Sequence, residues 1–201
     1  MTSERDEDLV ERLVDRLVLP GGTYLTFVRD TVVTSDGLRH SRDVVLHPGA
    51  VTVVAVLPDR RLLLVRQYRH PSGEVLLELP AGTLDMLDDG SIEKPLPAAQ
   101  RELFEETGYR AGSWRSLAEF FTAPGFASEL MHMFLATDLT LDASYEGPEP
   151  DERLKLEIMP FGDALSMAES GGIRDAKTLV GLFLVDRLAE RDDVRELSDR
   201  S

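Results

Sequence analysis

One short helix, predicted to lie between Pro95 and Gly108, constrains the fold of this chain more than any other stretch. Pro95 and Pro97 fit the first turn of a helix, where a missing N–H costs no hydrogen bond. Gly108 favours a stop, because glycine enters the left-handed conformation at little cost. The pattern predicts a helix of about 11 residues, with Glu105 and Glu106 in its last turn.

The last turn of a helix is an unfavourable place for carboxylates. The helix dipole favours cations at that end by ~0.3–1 kcal/mol per group. Glu102 and Glu106 also form a like-charge pair at i,i+4, which costs a further ~0.2–0.5 kcal/mol. A bound cation would offset both costs.

The residues around this pair indicate that it faces inward. Glu102 and Glu106 share an arc of the helix with small and apolar residues, namely Ala98, Ala99 and Leu103. This arc is therefore predicted to pack against the protein body. Arg101 stands four residues before Glu105 and can hold that carboxylate from the side.

Converging carboxylates, with no cysteine in the chain and no histidine nearby, predict a site made of oxygen ligands. Oxygen ligands favour Mg²⁺ or Mn²⁺ over Zn²⁺. An isolated pair of glutamates is more often a solvated acidic surface, so the interpretation depends on the spacing of the neighbouring residues.

That spacing resembles the signature of the Nudix hydrolases. Arg-Glu-Leu-x-Glu-Glu-x-Gly runs from Arg101 to Gly108, and Glu93 lies eight residues before the arginine. The signature places a glycine six residues before its first glutamate, whereas this chain has Leu87 there. Gly82 fits that role with five extra residues before Glu93, and the insertion is predicted to be a longer loop. The role of Glu93 stays open.

Other segments resemble the Nudix members that act on ADP-ribose. Pro124 lies fifteen residues beyond Tyr109, the end of the signature, inside a Pro-Gly-Phe loop. An added N-terminal β-hairpin, which exchanges between the subunits of a dimer in those enzymes, is a further similarity. Three more segments look like that subfamily: Gln67–Arg69, Leu77–Gly82 and Asp175–Leu179.

The resemblance implies a role for particular residues. The Ala81 carbonyl, Glu102 and Glu106 would bind divalent ions, either Mg²⁺ or Mn²⁺, with Glu105 and Arg101 assisting. Five residues would bind the substrate: Arg42 and Arg69 at the diphosphate or terminal ribose, Glu78 at the pocket wall, and the loop residues Gly125 and Phe126. The general base would come from the late acidic loop, where Glu152 matches best and Glu149 and Asp151 are rivals.

The function implied is hydrolysis of ADP-ribose to AMP and ribose 5-phosphate. One alternative is another diphosphate substrate: a sugar nucleotide, a dinucleoside polyphosphate or an oxidised nucleotide. The other is a module that binds ADP-ribose without cleaving it. Such a module commonly loses signature glutamates, whereas all of them are present here.

Composition narrows the partners. A net charge of −15 argues against nucleic acid, whose phosphates need Lys and Arg, but not against a nucleotide bound through a cation. No apolar run approaches membrane-spanning length, and the first residues are polar rather than signal-like. The expectation is a cytoplasmic protein that acts on a small nucleotide, forms a homodimer, and contacts no membrane.

The order of the predicted elements indicates an α+β fold, and the resemblance implies an α/β/α sandwich around a mixed sheet. Residues 1–47 are predicted to be an N-terminal extension with a β-hairpin that dimerises, 48–191 the Nudix domain, and 192–201 a polar tail. Within the extension, residues 1–18 carry a helix-spaced apolar stripe, which could equally be a frayed tail that orders on a partner. Residues 138–153 are predicted to be a long acidic loop.

Overall fold

The computed structural model describes residues 4–22, 25–148 and 153–190. Contacts between Cα atoms divide the chain into two units, one made of residues 1–49 with 121–130 and the other of residues 50–120 with 131–201. The strands are β1 Arg12–Val18, β2 Thr26–Val33, β3 Arg39–Leu46, β4 Ala50–Val56, β5 Arg61–Arg69, β6 Glu74–Glu78, β7 Ala81–Thr83, β8 Tyr109–Phe121, β9 Leu130–Leu141 and β10 Leu154–Pro160. The helices are α1 Pro95–Thr107, α2 Phe161–Glu169 and α3 Ala176–Glu190, and a 3-10 helix spans Glu4–Leu9.

The first unit contains a three-stranded antiparallel sheet in the order β1-β2-β3. Strands β2 and β3 form the predicted hairpin around Ser35-Asp36-Gly37, where Gly37 adopts a φ of 83°. This left-handed backbone conformation is one that glycine adopts at little cost, which favours a tight turn here.

The prediction of one helical stripe over residues 1–18 was wrong for residues 12–18, although Glu4–Leu9 form a short 3-10 helix. Residues 12–18 form strand β1, which pairs along β2 with a register shift between Leu13 and Asp15. Arg16 donates two hydrogen bonds to the carboxylate of Asp30 across the pair, each 2.7 Å long. The edge of β2 offers a ladder of hydrogen-bond partners, and this tertiary pairing outweighs the local spacing of the apolar residues.

The second unit is built on a seven-stranded mixed sheet. Five strands follow the order β10-β5-β4-β9-β8, while β6 pairs with β5 and β7 pairs with β4. Strands β4 and β9 run parallel, whereas β5 runs antiparallel to β10, β4 and β6, and β7 runs antiparallel to β4.

Helices cover both faces of this sheet. Ala98, Ala99 and Leu103 of α1 pack in one buried cluster with Val51, Val53 and Leu63. Ala164 of α2 and Leu182 of α3 pack in a second cluster, which contains Leu62 and Leu64 of β5. Alternate residues of one strand thus enter opposite clusters. The predicted α/β/α sandwich is confirmed, together with the N-terminal hairpin.

Two boundaries differ from prediction. Helix α1 has 13 residues rather than about 11. Strand β9 continues to Leu141, so the predicted loop over residues 138–153 begins only at Asp142. The hydrogen bonds of the β ladder override the polar composition of this stretch. No helix in the described part of the chain is long and apolar enough to cross a membrane.

Candidate active site

Helix α1 carries two buried carboxylates on the face that packs against the sheet. Glu102 is 6% exposed and Glu106 is 3% exposed, which confirms that their arc faces inward. The helix starts at Pro95 and ends at Gly108, whose φ of 75° is left-handed. The N–H of Gly108 donates to the carbonyl of Phe104 at 2.8 Å and closes the last turn. Local sequence signals therefore set where the glutamates stand on the helix.

The backbone that leads into β7 passes directly over these carboxylates. The N–H of Ala81 donates to Oε2 of Glu106 at 3.0 Å. A Cβ atom built on Gly82 would lie 1.8 Å from Oε1 of Glu102, so any other residue here would force that carboxylate to move. This close approach is the physical reason for a glycine at the end of Leu79–Gly82.

Arg101 gathers the acidic side chains of the site. Its Nη1 donates to Oε1 of Glu102 at 2.8 Å and to Oε2 of Glu105 at 2.9 Å. Its Nη2 donates to Oε2 of Glu93 at 2.8 Å. The predicted contact between Arg101 and Glu105 is therefore present, and the contacts with Glu102 and Glu93 add to it. The planar guanidinium allows one cation to hold several carboxylates.

The same contacts explain the electrostatics of Glu93. The hydrogen bond from Arg101 holds the pKa of Glu93 below its usual value, although burial opposes this effect. Burial alone would lower the pKa of Arg101, but hydrogen bonds with Glu93 and Glu105 and the charge of Glu102 raise it well above the usual value. Both groups are therefore charged at neutral pH.

The five-residue insertion before Glu93 forms a folded loop. Residues 85–93 fold back on themselves, since Leu87 N–H donates to the Ser91 carbonyl and Glu93 N–H donates to the Asp85 carbonyl, both at 2.8 Å. This returns Glu93 to the side of Arg101. In this position Glu93 accepts hydrogen bonds from Arg101.

A second charged network lies at the end of β6. Glu78 is 1% exposed and accepts two hydrogen bonds from Arg69, at 2.8 and 2.9 Å. Lys177 of α3 forms a further ion pair with Glu78 and one of 3.0 Å with Asp175. Burial would raise the pKa of Glu78, but the hydrogen bond from Arg69 and the charge of Lys177 outweigh it and hold the pKa below its usual value.

Asp175 caps the last helix, α3. Its Oδ2 accepts hydrogen bonds from the N–H of Thr178 at 3.0 Å and from the hydroxyl of Thr178 at 2.6 Å. The same hydroxyl accepts a hydrogen bond from the N–H of Leu79 at 2.8 Å. The start of α3 is thereby tied to the end of β6.

Three of the residues predicted to bind the substrate, Arg42, Gly125 and Phe126, lie in the first unit. Arg42 is on β3 and forms an ion pair with Glu11. Gly125 and Phe126 lie in the loop between β8 and β9, where the carbonyl of Phe126 accepts a hydrogen bond from the N–H of Val45 at 2.8 Å. The predicted general base Glu152 and its rivals Glu149 and Asp151 lie outside the described residues.

The stretch that leads toward those acidic residues is held to the end of α1. The hydroxyl of Tyr145 donates to the carbonyl of Glu105 at 2.9 Å, and the ring of Tyr145 meets Phe104 edge to face at 5.8 Å. The N–H of Asp142 donates to the carbonyl of Gly108 at 2.9 Å. A tyrosine near the end of a strand has no local signature, so sequence patterns did not reveal this contact.

The carboxylates of α1 have the chemistry of a site for a hard cation. The side-chain atoms that could bind a metal here are carboxylate oxygens, and they include those of the two buried glutamates, Glu102 and Glu106. Gly82 leaves the space that the Glu102 carboxylate occupies. The described residues contain no group of three or more His, Asp or Glu side chains in metal-binding geometry. The hydrogen bonds of Arg101 bring Glu102 and Glu105 to the same nitrogen atom, Nη1. The oxygen ligands that the structure places on the inner face of α1 are therefore those of the buried Glu102 and Glu106.

The chain resembles proteins of known activity over most of its length. The family model of the Nudix domain matches residues 46–180. An ADP-ribose pyrophosphatase of Bacillus subtilis is 34% identical over 172 residues, which are 86% of this chain and 90% of that protein. A GDP-mannose pyrophosphatase of Cronobacter sakazakii is 32% identical over 182 residues, which are 85% of this chain and 92% of that protein.

A solved structure shares the fold. The crystal structure of an ADP compounds hydrolase superposes with a TM-score of 0.74 and 23% sequence identity. The match covers 90% of this chain and 96% of that one.

Proposed function

Because this chain belongs to the Nudix family, as a pyrophosphatase-type hydrolase, we propose that it cleaves ADP-ribose to AMP and ribose 5-phosphate with the help of Mg²⁺ or Mn²⁺. The observation that carries the proposal is the pair of buried glutamates of α1 beneath Gly82, in a chain 34% identical to an ADP-ribose pyrophosphatase. Nudix hydrolases generally need a divalent metal, and the buried glutamates of α1 supply the carboxylate oxygens that such a metal prefers.

Glu102, Glu106 and the carbonyl of Ala81 would hold the cation, with Glu105 assisting. A bound divalent cation offsets the negative charge that accumulates at phosphorus and lowers the pKa of the attacking water. The protein's own contribution is to fix the carboxylates before substrate arrives. Arg101 supplies this order, because its hydrogen bonds restrain Glu102 and Glu105 together.

Arg69 is proposed to contact the diphosphate, and Glu78 to shape its pocket. The side chain of Arg69 is 40% exposed, while two N–H groups of its guanidinium donate hydrogen bonds to Glu78. An anchored, partly exposed guanidinium suits phosphate recognition, since its planar fork presents the remaining N–H groups in a defined direction. Arg42, Gly125 and Phe126 are proposed as further substrate contacts on the resemblance alone.

Glu152 is proposed as the general base, which removes a proton from the attacking water. The support is its place in the sequence, in the acidic stretch two residues before Leu154, the first residue of β10. The earlier part of that stretch is anchored to α1 through Tyr145. Glu149 and Asp151 are the alternatives in the same segment.

A GDP-sugar is the second candidate substrate, because a GDP-mannose pyrophosphatase is 32% identical over 85% of this chain. The site on α1 serves either substrate, since both contain a diphosphate. The choice between them depends on contacts with the base and the sugar.

A panel of substrates tests the proposal. Purified protein is incubated with Mg²⁺ or Mn²⁺ and with ADP-ribose, GDP-mannose, a dinucleoside polyphosphate or an oxidised nucleoside triphosphate, and products are resolved by chromatography. AMP and ribose 5-phosphate from ADP-ribose, at the highest kcat/KM of the panel, support the proposal. A higher kcat/KM for another diphosphate would replace ADP-ribose but keep the reaction class.

The base is tested by single substitutions. Glu152→Gln is expected to lower kcat by ~10²–10⁴-fold with little change in KM, because the carboxylate acts mainly in the transition state. Glu149→Gln and Asp151→Asn are matched controls, and the variant with the largest loss identifies the base. Wild-type rates in all three variants would place the base elsewhere, with Glu105 or Glu93 the next residues to test.

A second copy of the chain is proposed as the partner of the N-terminal sheet. Strand β1 is exposed along its whole length, and its apolar side chains, such as Leu13, Leu17 and Val18, lie open. A small sheet with exposed apolar side chains gains stability by packing against another surface. The resemblance to dimeric members of the family supports a homodimer.

A further inference from the structure

Gln67 on β5 has a buried polar atom that no described residue satisfies. Its carboxamide oxygen Oε1 is the one buried side-chain oxygen or nitrogen without a hydrogen-bond partner in the described part of the chain. A buried acceptor left without a donor destabilises the folded protein, so native structures rarely keep one without a reason.

The strand register places Gln67 on the face of the sheet that α1 covers. Gln67 pairs with Leu154 of β10 on one side and with Leu76 of β6 on the other. Leu63, four residues earlier on β5, packs in the cluster that contains Leu103 of α1. Because side chains alternate along a strand, residues 63, 65, 67 and 69 share this face.

Arg69 therefore follows Gln67 on the same face, about 6.6 Å further along the strand. Hydrogen bonding to Glu78 raises the pKa of Arg69 above its usual value, and the charges of Glu106 and Asp175 act in the same direction. Arg69 thus lies within electrostatic reach of Glu106, one of the two buried glutamates of the site. Gln67 is the neighbour of Arg69 on this face of β5.

We propose that Gln67 hydrogen-bonds a sugar hydroxyl of the nucleoside diphosphate sugar and thereby selects substrates with a sugar beyond the diphosphate. This inference rests on the proposed function, namely that the site cleaves such a diphosphate. An ionised diphosphate offers only acceptors, so the nearest donors on the substrate are the hydroxyls of the attached sugar. With phosphate at Arg69, one strand step along the same face reaches about one sugar ring further.

The chemistry holds for either orientation of the carboxamide. Rotation by 180° exchanges the oxygen for the NH₂ group and leaves a buried donor in place of a buried acceptor. A sugar hydroxyl both donates and accepts, so it satisfies either group. A phosphate oxygen would satisfy only the NH₂ group.

The test compares Gln67→Met with the wild-type protein on two substrates. Methionine keeps the length and shape of the side chain but removes its polar atoms. The substrates are ADP-ribose and the methyl ester of ADP, which has the same diphosphate and base but no terminal sugar. Thermal unfolding of both proteins is measured without substrate. Leu76→Met, at the paired position on β6, is the control for a conservative change on the same face.

Gln67→Met is expected to be at least as stable as the wild type, because it removes an unsatisfied buried group. It is also expected to lower kcat/KM for ADP-ribose by about 10- to 100-fold and to leave the methyl ester unchanged. An equal loss on both substrates with a lower melting temperature would show a structural role and overturn the inference. Unchanged activity on both would show that the sugar does not contact Gln67.

The proposed function can fail separately. If the wild type ignores ADP-ribose but cleaves GDP-mannose, the same comparison is made with GDP-mannose and the methyl ester of GDP. A selective loss on the sugar nucleotide then supports the inference about Gln67, although the proposal of ADP-ribose is wrong. If the wild type cleaves no sugar nucleotide but cleaves the methyl ester, both proposals are wrong.

Discussion

Substituting Gly82 by alanine tests most directly whether the site works in the geometry described. The added Cβ would lie 1.8 Å from Oε1 and 1.9 Å from Cδ of Glu102, whereas ordinary contacts begin at 3.4 Å. The carboxylate must therefore retreat by roughly 1.5 Å, since the alternative is to move the backbone of β7. Gly82 has no left-handed φ, so alanine brings a steric effect without added backbone strain.

The retreat of Glu102 has two measurable consequences. Misplacing a catalytic group by about 1 Å can cost ~10²-fold in rate, so kcat of Gly82→Ala is expected to fall by at least ~10²-fold. Overpacking of this kind costs ~1–3 kcal/mol of stability, which lowers Tm by roughly 2–12 °C in a chain of this size. The variant should therefore stay folded at 25 °C while it loses activity.

Gly162→Ala is the matched control. Gly162 lies in the first turn of α2, and a Cβ built there meets nothing within 4 Å. Alanine also favours a helix over glycine by ~1 kcal/mol, so this variant should be as stable as the wild type or more so, with full activity.

A double-mutant cycle identifies the clash as the cause. Glu102→Asp shortens the side chain by one methylene and leaves space above position 82. Adding Gly82→Ala to Glu102→Asp should therefore cost less activity than adding it to the wild type. Wild-type kcat and an unchanged Mg²⁺ requirement in Gly82→Ala would refute the assignment of Glu102 to the site.

Three further predictions concern the cation, the buried network and assembly. Glu106→Gln should lose most of the activity but remain at least as stable as the wild type without metal. Mg²⁺ at 100 times Kd raises the free energy of unfolding of the wild type by ~2.7 kcal/mol, and it should raise the Tm of the variant less than that of the wild type. Full turnover by Glu106→Gln would contradict this prediction. Because the folded pKa of Glu78 is lowered, its contribution is complete above about pH 4.3 and is lost as pH falls through the folded pKa. Urea unfolding should therefore show Lys177→Met to be less stable than the wild type at pH 7. The difference in the free energy of unfolding should shrink below about pH 4.3, as Glu78 becomes protonated. A difference that stays constant from pH 3 to 7 would exclude the ion pair with Glu78 as its source. Light scattering should give about twice the monomer mass of 22.4 kDa, and a monomer at micromolar concentration would exclude the dimer.

The helix of the site is the part that the sequence alone determined. Proline at its start, Gly108 at its end and the spacing of Glu102 and Glu106 act on neighbours within one or two turns of backbone. The helix they specify can therefore be predicted from the local sequence, without knowledge of the rest of the chain. The same is true of the hairpin turn at Gly37, the cap at Asp175, and the strands in which β-branched residues dominate.

Tertiary structure decided the contacts between distant parts of the chain. Lys177 pairs with Glu78 across 99 positions, and the ladder along β2 made a strand of residues 12–18, where the apolar spacing favoured a helix. Glu93 reaches Arg101 because the insertion before it folds back on itself. Such contacts depend on which surfaces meet when the sheet and helices pack, and neighbouring residues carry little information about that.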